Sequence, residues 1–131
     1  MAGFSDYLED KVLDHVFGGT AYSAPGTLYV GLYTAAPSDT GGGTEVSGGS
    51  YARKSMAAMT VSGTSPTTAT NGSAVEFVTA TGAWGTVTHV GVFDAASSGN
   101  LMAWAALTTS KAVTSGDVFR FNAGELDITL A

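Results

Sequence analysis

The sequence lacks cysteine and contains few charged residues. With no cysteine among its 131 residues, the chain can form neither a disulfide framework nor a thiolate zinc site. Only 12% of the residues are charged, whereas an ordinary globular domain has roughly a quarter. The surface must therefore consist largely of Ser, Thr, Gly and backbone, and such a neutral surface is well suited to burial against other subunits.

Basic residues and long apolar runs are also scarce. The net charge of −6 indicates that the chain as a whole is not drawn to nucleic acid or to anionic lipid. No stretch approaches the ~20 apolar residues of a membrane span. The first ten residues lack the basic region and apolar run of a signal peptide. We therefore predict a protein that binds neither nucleic acid nor membrane.

The sequence does contain enough apolar material for a folded domain. Hydrophobic residues make up 44% of the chain, and a chain of this length can bury a core without a metal or a disulfide. We therefore predict one β-domain over residues 1–131, with one helix near its N-terminus.

Residues 84–107 predict a central β-hairpin. Two apolar runs, TVTHVGVFD and NLMAWAAL, flank the polar turn AASSG. In the first run Val87, His89, Gly91 and Phe93 share one face, and threonine and valine side chains share the other. Because both faces carry apolar residues, this strand is predicted to be covered on both sides.

Residues 4–17 are the one good helix candidate. Phe4, Leu8, Val12 and Val16 recur four apart and predict an apolar stripe. An acidic stripe on the opposite face is interpreted as solvated. The two glycines that follow predict the end of the helix.

The rest of the chain is predicted to form short strands separated by turns. Strands are predicted near 27–34, 51–63, 74–81, 117–124 and 125–131, and polar loop or turn regions at 35–50, 64–74 and 108–117, the last with a brief strand. This pattern favours a mainly β fold, either an antiparallel, jelly-roll-like β-sandwich or a small barrel.

Residues that could carry catalysis are few. His15 and His89 lie on different elements without a second ligand, and His89 is interpreted as a half-buried structural histidine. Glu125 and Asp127 could pair as acid and base, but a solvated strand face explains them better. We predict no catalytic residue, no metal and no cofactor, and hence no enzyme.

Arg53 belongs to the only adjacent basic pair of the chain, which is too small for a nucleic-acid footprint. It is predicted to bind a carboxylate, either inside the protomer or across an interface. With the helix stripe and the two tryptophans it completes the candidate interface residues, which are Phe4, Leu8, Val12, Arg53, Trp84 and Trp104.

The segments LYVGLYTAAP, EVSGGSYAR, WGTVTHVGVFDA and GDVFRF occur in this order along the chain. In this order they resemble a family of small tailed-bacteriophage virion structural proteins, usually labelled tail fibre or minor structural proteins. The resemblance covers nearly the whole chain and brings no catalytic motif. It implies a location in the virion and an accessory role in many copies, as a capsid decoration (cement) protein or a head or tail fibre component.

Two expectations about partners accompany this resemblance. The first is a homo-oligomer, most simply a trimer, that also contacts virion proteins such as the major capsid or tail protein. The alternative is a receptor- or carbohydrate-binding tail module used in host adsorption. In that alternative Trp84, in the glycine-flanked GAWG turn, and the loop 35–50 form the recognition surface.

Overall fold

The computed structural model describes residues 3–130 and is mainly β with a single helix in that range. The helix, α1, spans Asp6–Val16. The strands are β1 Gly3–Phe4, β2 Leu28–Ala35, β3 Thr44–Glu45, β4 Lys54–Met56, β5 Thr60–Ser62, β6 Thr67–Thr70, β7 Val75–Glu76, β8 Gly85–Phe93, β9 Leu101–Val113, β10 Arg120–Phe121 and β11 Asp127–Leu130.

The main sheet is built around the hairpin β8–β9, as predicted. Its antiparallel order is β1-β9-β8-β2, and both β3 and β4 pair with the free edge of β2, at different ends of that strand. Along β2 and β8, apolar side chains alternate between the two faces. One face, here called the core face, carries Val30, Leu32, Val90 and Val92, all of which are buried.

A second layer covers the core face. It consists of two small antiparallel sheets, β11-β6-β5 and β10-β7. The side chains of this layer that pack against the core face are Val75, Phe77, Phe119, Phe121 and Leu126. The predicted mainly β, antiparallel class with one N-terminal helix is therefore confirmed, whereas the small barrel is wrong because the sheets do not close.

A bulge changes the predicted face of Val87. The register of β8 and β9 shifts between the pairs Val87–Lys111 and His89–Ala106, so that residues 107–110 lie opposite Thr88 alone. The extra residues belong to β9, and the regular alternation of β8 is interrupted at the same point, since Val87 and Val90 both reach the core. As a result Val87 is fully buried in the core rather than sharing the face of His89.

Two other predicted segments are divided differently. Residues 51–63 are not one strand: β4 pairs with the main sheet, β5 pairs with β6, and 57–59 cross between the two layers. The predicted turn region 64–74 contains β6, because Thr-rich sequence forms a strand where partners exist on both sides.

Some predicted segments are shorter or longer in the structure. The predicted strands near 74–81 and 117–124 shorten to β7 and β10. The second strand of the hairpin, in contrast, continues beyond 107 to Val113. The loop 35–50 contains the short strand β3, which pairs with β2.

Helix α1 is anchored mainly at its beginning. Ser5 is buried, its hydroxyl accepts from the Leu8 N–H at 3.3 Å and donates to a backbone carbonyl of β9, and it caps the helix. Further along, the apolar side chains are largely exposed, with 59% for Leu13, 60% for Val16 and 81% for Phe17. No helix within residues 3–130 is long and apolar enough to cross a membrane.

Candidate functional site

The outer face of the main sheet, opposite the core face, carries a layer of aromatic rings. Gly31 of β2 and Gly91 of β8 are cross-strand partners. The rings of Tyr33 and Phe93 stack with centroids 6.2 Å apart. A Cβ at position 91 would lie 3.0 Å from a Tyr33 ring carbon, and one at position 31 would lie 2.8 Å from the Phe93 ring. Glycine at both positions is therefore what lets the rings lie close to the backbone.

Arg53 lies on this aromatic layer. Its guanidinium carbon is 3.5 Å from the Phe93 ring centroid, and its side chain is only 9% exposed. Its Nε and Nη2 donate to the two carboxylate oxygens of Glu45 at 2.9 and 2.8 Å. This bidentate geometry is the strong form of an arginine–carboxylate pair. The carboxylate that the sequence predicted for Arg53 thus lies within the protomer.

The same guanidinium also holds the turn between β8 and β9. Nη1 donates to the carbonyl oxygens of Ala95 at 2.9 Å and Ser98 at 2.8 Å. Burial alone lowers the pKa of Arg53, but the hydrogen bonds and charge of Glu45 outweigh it, so the pKa is raised. A permanently charged Arg53 therefore joins β3, the segment before β4 and the hairpin turn.

Tyr51 completes this group, which we call the Arg53 network (Glu45, Tyr51 and Arg53). The Tyr51 hydroxyl donates to Glu45 Oε2 at 2.7 Å and accepts from the backbone N–H of Leu32 at 2.9 Å. Burial, followed by the hydrogen bond to the carboxylate, raises the pKa of Tyr51 far above its ordinary value. Tyr51 is consequently a neutral donor that satisfies both the carboxylate and a strand N–H.

Tyr33 differs from Tyr51 in one respect. It is only 4% exposed, yet its hydroxyl has no hydrogen-bond partner among the described residues. Burial, assisted by the charge of Glu45, raises the pKa of Tyr33 to about 12. No fully enclosed side-chain oxygen in residues 3–130 is unpaired. The hydroxyl must therefore reach a space that is open to solvent.

Tyr33 also lines a pocket of about 440 Å³, which we call the Tyr33 pocket. Its walls are the first turn of α1, the loop 39–42 and the hairpin turn 98–101, and its floor includes Tyr33 and Phe93. Arg53 also lines it, so the Arg53 network holds one wall of the pocket in place.

The two tyrosines allow a matched prediction. Tyr51→Phe is expected to lower the free energy of unfolding by about 1–3 kcal/mol, because it leaves the Leu32 N–H and a Glu45 oxygen without their partner. Tyr33→Phe removes a hydroxyl with no protein partner and should leave stability unchanged or slightly higher. Urea unfolding of both variants measures the difference. Equal losses would contradict the assignment of these hydrogen bonds.

A second pocket, of about 300 Å³, lies beside the β9 bulge and includes Glu125 and Asp127 in its lining. Both carboxylates make local hydrogen bonds, Glu125 with the Asn122 N–H and Asp127 with the Thr70 hydroxyl at 3.2 Å. Both side chains are exposed. Within residues 3–130, no group of three or more His, Cys, Asp or Glu is arranged to hold a metal ion.

The two candidate tryptophans lie in different environments. Trp84 is 4% exposed, contacts Tyr51 edge-to-face with ring centroids 5.3 Å apart, and donates from Nε1 to the Gly49 carbonyl at 2.9 Å. The hypothesis that Trp84 stacks on a sugar is therefore wrong, because its ring is part of the core. Trp104 is half-buried on the outer face, and its Nε1 donates to Asp39 Oδ1 at 2.9 Å.

The other candidate interface residues do not form one cluster. Phe4, Leu8 and Val12 are half-buried near the start of α1, whereas Arg53 is held in its own network. An interface role for these residues stays a prediction.

Sequence reasoning missed Glu45, Tyr51 and Tyr33 as parts of a site. Tyr51 and Arg53 do lie on the same face of an extended segment, as their spacing indicates. Their partner Glu45, however, lies in a Gly- and Thr-rich loop, and no local pattern connects it to them. The only signal in the sequence was that Glu45 lies eight residues before Arg53, close enough along the chain to pair with it.

Together these features define a β-rich, antiparallel domain with a buried ionic network and a recessed polar pocket beside it. A family model described as Podophage GP4 fiber I protein gp80 matches residues 3–129. The chain therefore belongs to this family of phage fibre structural proteins, and the family implies a component of the virion. No match was found among curated proteins.

Proposed function

We propose that this protein is a non-enzymatic, multi-copy accessory subunit of the phage particle. Copies assemble through the C-terminal end of α1, where Leu13, Val16 and the following Phe17 are exposed. We further propose that it forms a trimer and contacts the major capsid or tail protein, as a decoration (cement) or fibre-type component. Membership in the phage fibre family supports the structural role.

The observation that carries the proposal is the exposed apolar face of α1. Leu13, Val16 and Phe17 are spaced i, i+3 and i+4, so they lie on one side of the helix end. Complete burial of side chains of this type stabilises by about 1.5–3 kcal/mol each. Because these side chains are mostly exposed in one protomer, most of this stabilisation is available to a neighbour.

A second copy of the chain is the proposed occupant of this face. A helix that contacts a neighbour at a different surface patch makes a head-to-tail contact, and such contacts close into a trimeric ring when each subunit is rotated by a third of a turn from the last. Each contact is small, but a ring engages several at once, so affinity accumulates by multivalency. Asp10 and Asp14, three residues before Leu13 and Phe17, lie beside this face, so a neighbour that covers it has to leave these carboxylates in solvent or pair them with cations.

The test is the mass of the free protein in solution. Size-exclusion chromatography with light scattering should give about three times the 13.1 kDa of one chain at high concentration. The double variant Leu13→Ser/Phe17→Ser should shift the mass toward one chain, because the contact loses its apolar side chains. Val78→Ser, at another exposed valine, serves as the matched control and should retain the wild-type mass.

Two results would contradict the proposal. One is a wild-type protein that stays monomeric at every concentration. The other is a helix double variant with the same mass as Val78→Ser. Because Leu13 and Phe17 are exposed in the protomer, the circular dichroism of the variant should match that of wild type, and a folded monomer can be distinguished from a misfolded one.

The receptor-binding alternative loses one of its two features, Trp84, because this residue is buried. The other feature, the loop 35–50, remains accessible, and its residues 39–42 line the Tyr33 pocket.

A further inference from the structure

The acidic residues of α1 restrict which surface the end of this helix can contact. Asp10 and Asp14 are exposed, and each lies one helical turn before an exposed apolar side chain, Leu13 or Phe17. A surface that covers the apolar side chains therefore comes close to a carboxylate. A carboxylate that loses water without gaining a cation opposes such a contact. The matching surface should combine an apolar floor with a cation at its rim.

Few cations of the chain are available for this role. There are five Lys and Arg residues in total. Three of them, Lys11, Arg53 and Arg120, form ion pairs with carboxylates of the same protomer. Lys54 and Lys111 are exposed and form no ion pair within residues 3–130. These two lysines are therefore the candidates.

Lys111 is the one that lies at an apolar groove. It lines the pocket of about 300 Å³ beside the β9 bulge, which we call the β9 groove. The apolar part of the lining includes Leu107, which is half-buried, and the buried side chains of Phe121 and Leu126. The groove is large enough to take one aromatic side chain. Lys54, in contrast, lies on β4, two strands away from β9 in the main sheet.

We infer that the C-terminal end of α1 docks into the β9 groove of a second copy of the chain, with Phe17 on the apolar lining and Asp14 beside Lys111. This inference rests on the proposed assembly through α1 and names the surface that receives the helix. In one protomer Phe17 is 81% exposed, so the helix end does not occupy its own groove. Each copy therefore donates one helix and receives another, as a head-to-tail ring requires.

The other charges of the groove give the inference a direction. Glu125 and Asp127 also line it and repel an acidic helix. Lys111→Gln should therefore weaken the association of the copies, whereas Asp127→Asn should strengthen it. Each dissociation constant should change by about two- to fivefold, the range of an exposed charge pair. Asparagine keeps an oxygen that can accept from the Thr70 hydroxyl, as Asp127 does.

The decisive experiment is charge reversal, followed by analytical ultracentrifugation of the full-length protein over a range of concentrations. Lys111→Glu and Asp14→Lys should each raise the dissociation constant by about tenfold or more, because each brings like charges together. The double variant Asp14→Lys/Lys111→Glu restores opposite charges and should return to within about threefold of wild type. Lys54→Glu makes the same change in net charge as Lys111→Glu and should associate as wild type does.

The outcomes separate this inference from the assembly on which it rests. A wild-type protein that stays monomeric overturns both. If Leu13→Ser/Phe17→Ser is monomeric while Lys111→Glu associates as wild type does, only the β9 groove is overturned. A double charge variant that associates no better than the single ones overturns the pairing of Asp14 with Lys111. Should Lys111→Glu lose the circular dichroism of wild type, the opposite effects of Lys111→Gln and Asp127→Asn decide, and changes of the same sign overturn the inference.

Discussion

Replacing Arg53 with methionine is expected to lower the free energy of unfolding by about 3 kcal/mol. Methionine keeps much of the length of the side chain and can still contact Phe93, but it leaves Glu45 without its bidentate partner. The carbonyl oxygens of Ala95 and Ser98 also lose their donor. Because Glu45 is 25% exposed, water compensates part of the loss, and we place the effect at the lower end for a broken buried pair.

Lys54→Met is the matched control for this prediction. Lys54 adjoins Arg53 and is exposed, and it forms no ion pair within the described part of the chain. Its replacement should change stability by no more than about 0.5 kcal/mol in urea unfolding. In a double-mutant cycle with Glu45→Gln, the effect of Arg53→Met should shrink markedly. Similar values for Arg53→Met and Lys54→Met would show that the network contributes little.

The parts of the fold that follow from local pattern were predictable from sequence. The hairpin β8–β9 was correctly located because two apolar runs flank a short polar turn. The helix was placed to within two residues because its apolar side chains recur with helical spacing and Ser5 and Gly18 bound it. Both depend on residues close together in sequence.

The parts that depend on pairing between distant segments were not predictable. The bulge opposite Thr88 moves Val87 to the core face, and no composition signal marks it. The site illustrates the same limit, since Arg53 was expected to bind a carboxylate but Glu45 could not be identified. Its place opposite Tyr33 is set by the pairing of β3 with β2, which the loop composition concealed.

The Arg53 network and the Tyr33 pocket are physically coupled. Arg53 fixes the turn that contains Ser98, and this turn forms one wall of the pocket. The network is thus a means by which a glycine-rich, weakly charged chain keeps a polar pocket in one shape.

Trp84→Ala is expected to have the largest effect, a loss of about 3–5 kcal/mol in the free energy of unfolding. The indole fills the core between Tyr51 and Phe77, and its N–H bonds the Gly49 carbonyl. Alanine would leave a cavity and an unpaired carbonyl, and the backbone of Gly49, which packs directly on the ring, would lose its support.

Trp104→Ala provides the comparison, because Trp104 is half-buried on the outer face and its indole N–H bonds only Asp39. The Trp104→Ala variant should lose about 1–2 kcal/mol in the free energy of unfolding, since water can take the place of part of the ring and can bond to Asp39. Urea unfolding followed by tyrosine fluorescence measures both variants. The core assignment of Trp84 would be contradicted by equal losses, because a surface ring costs far less to remove than one in a packed core.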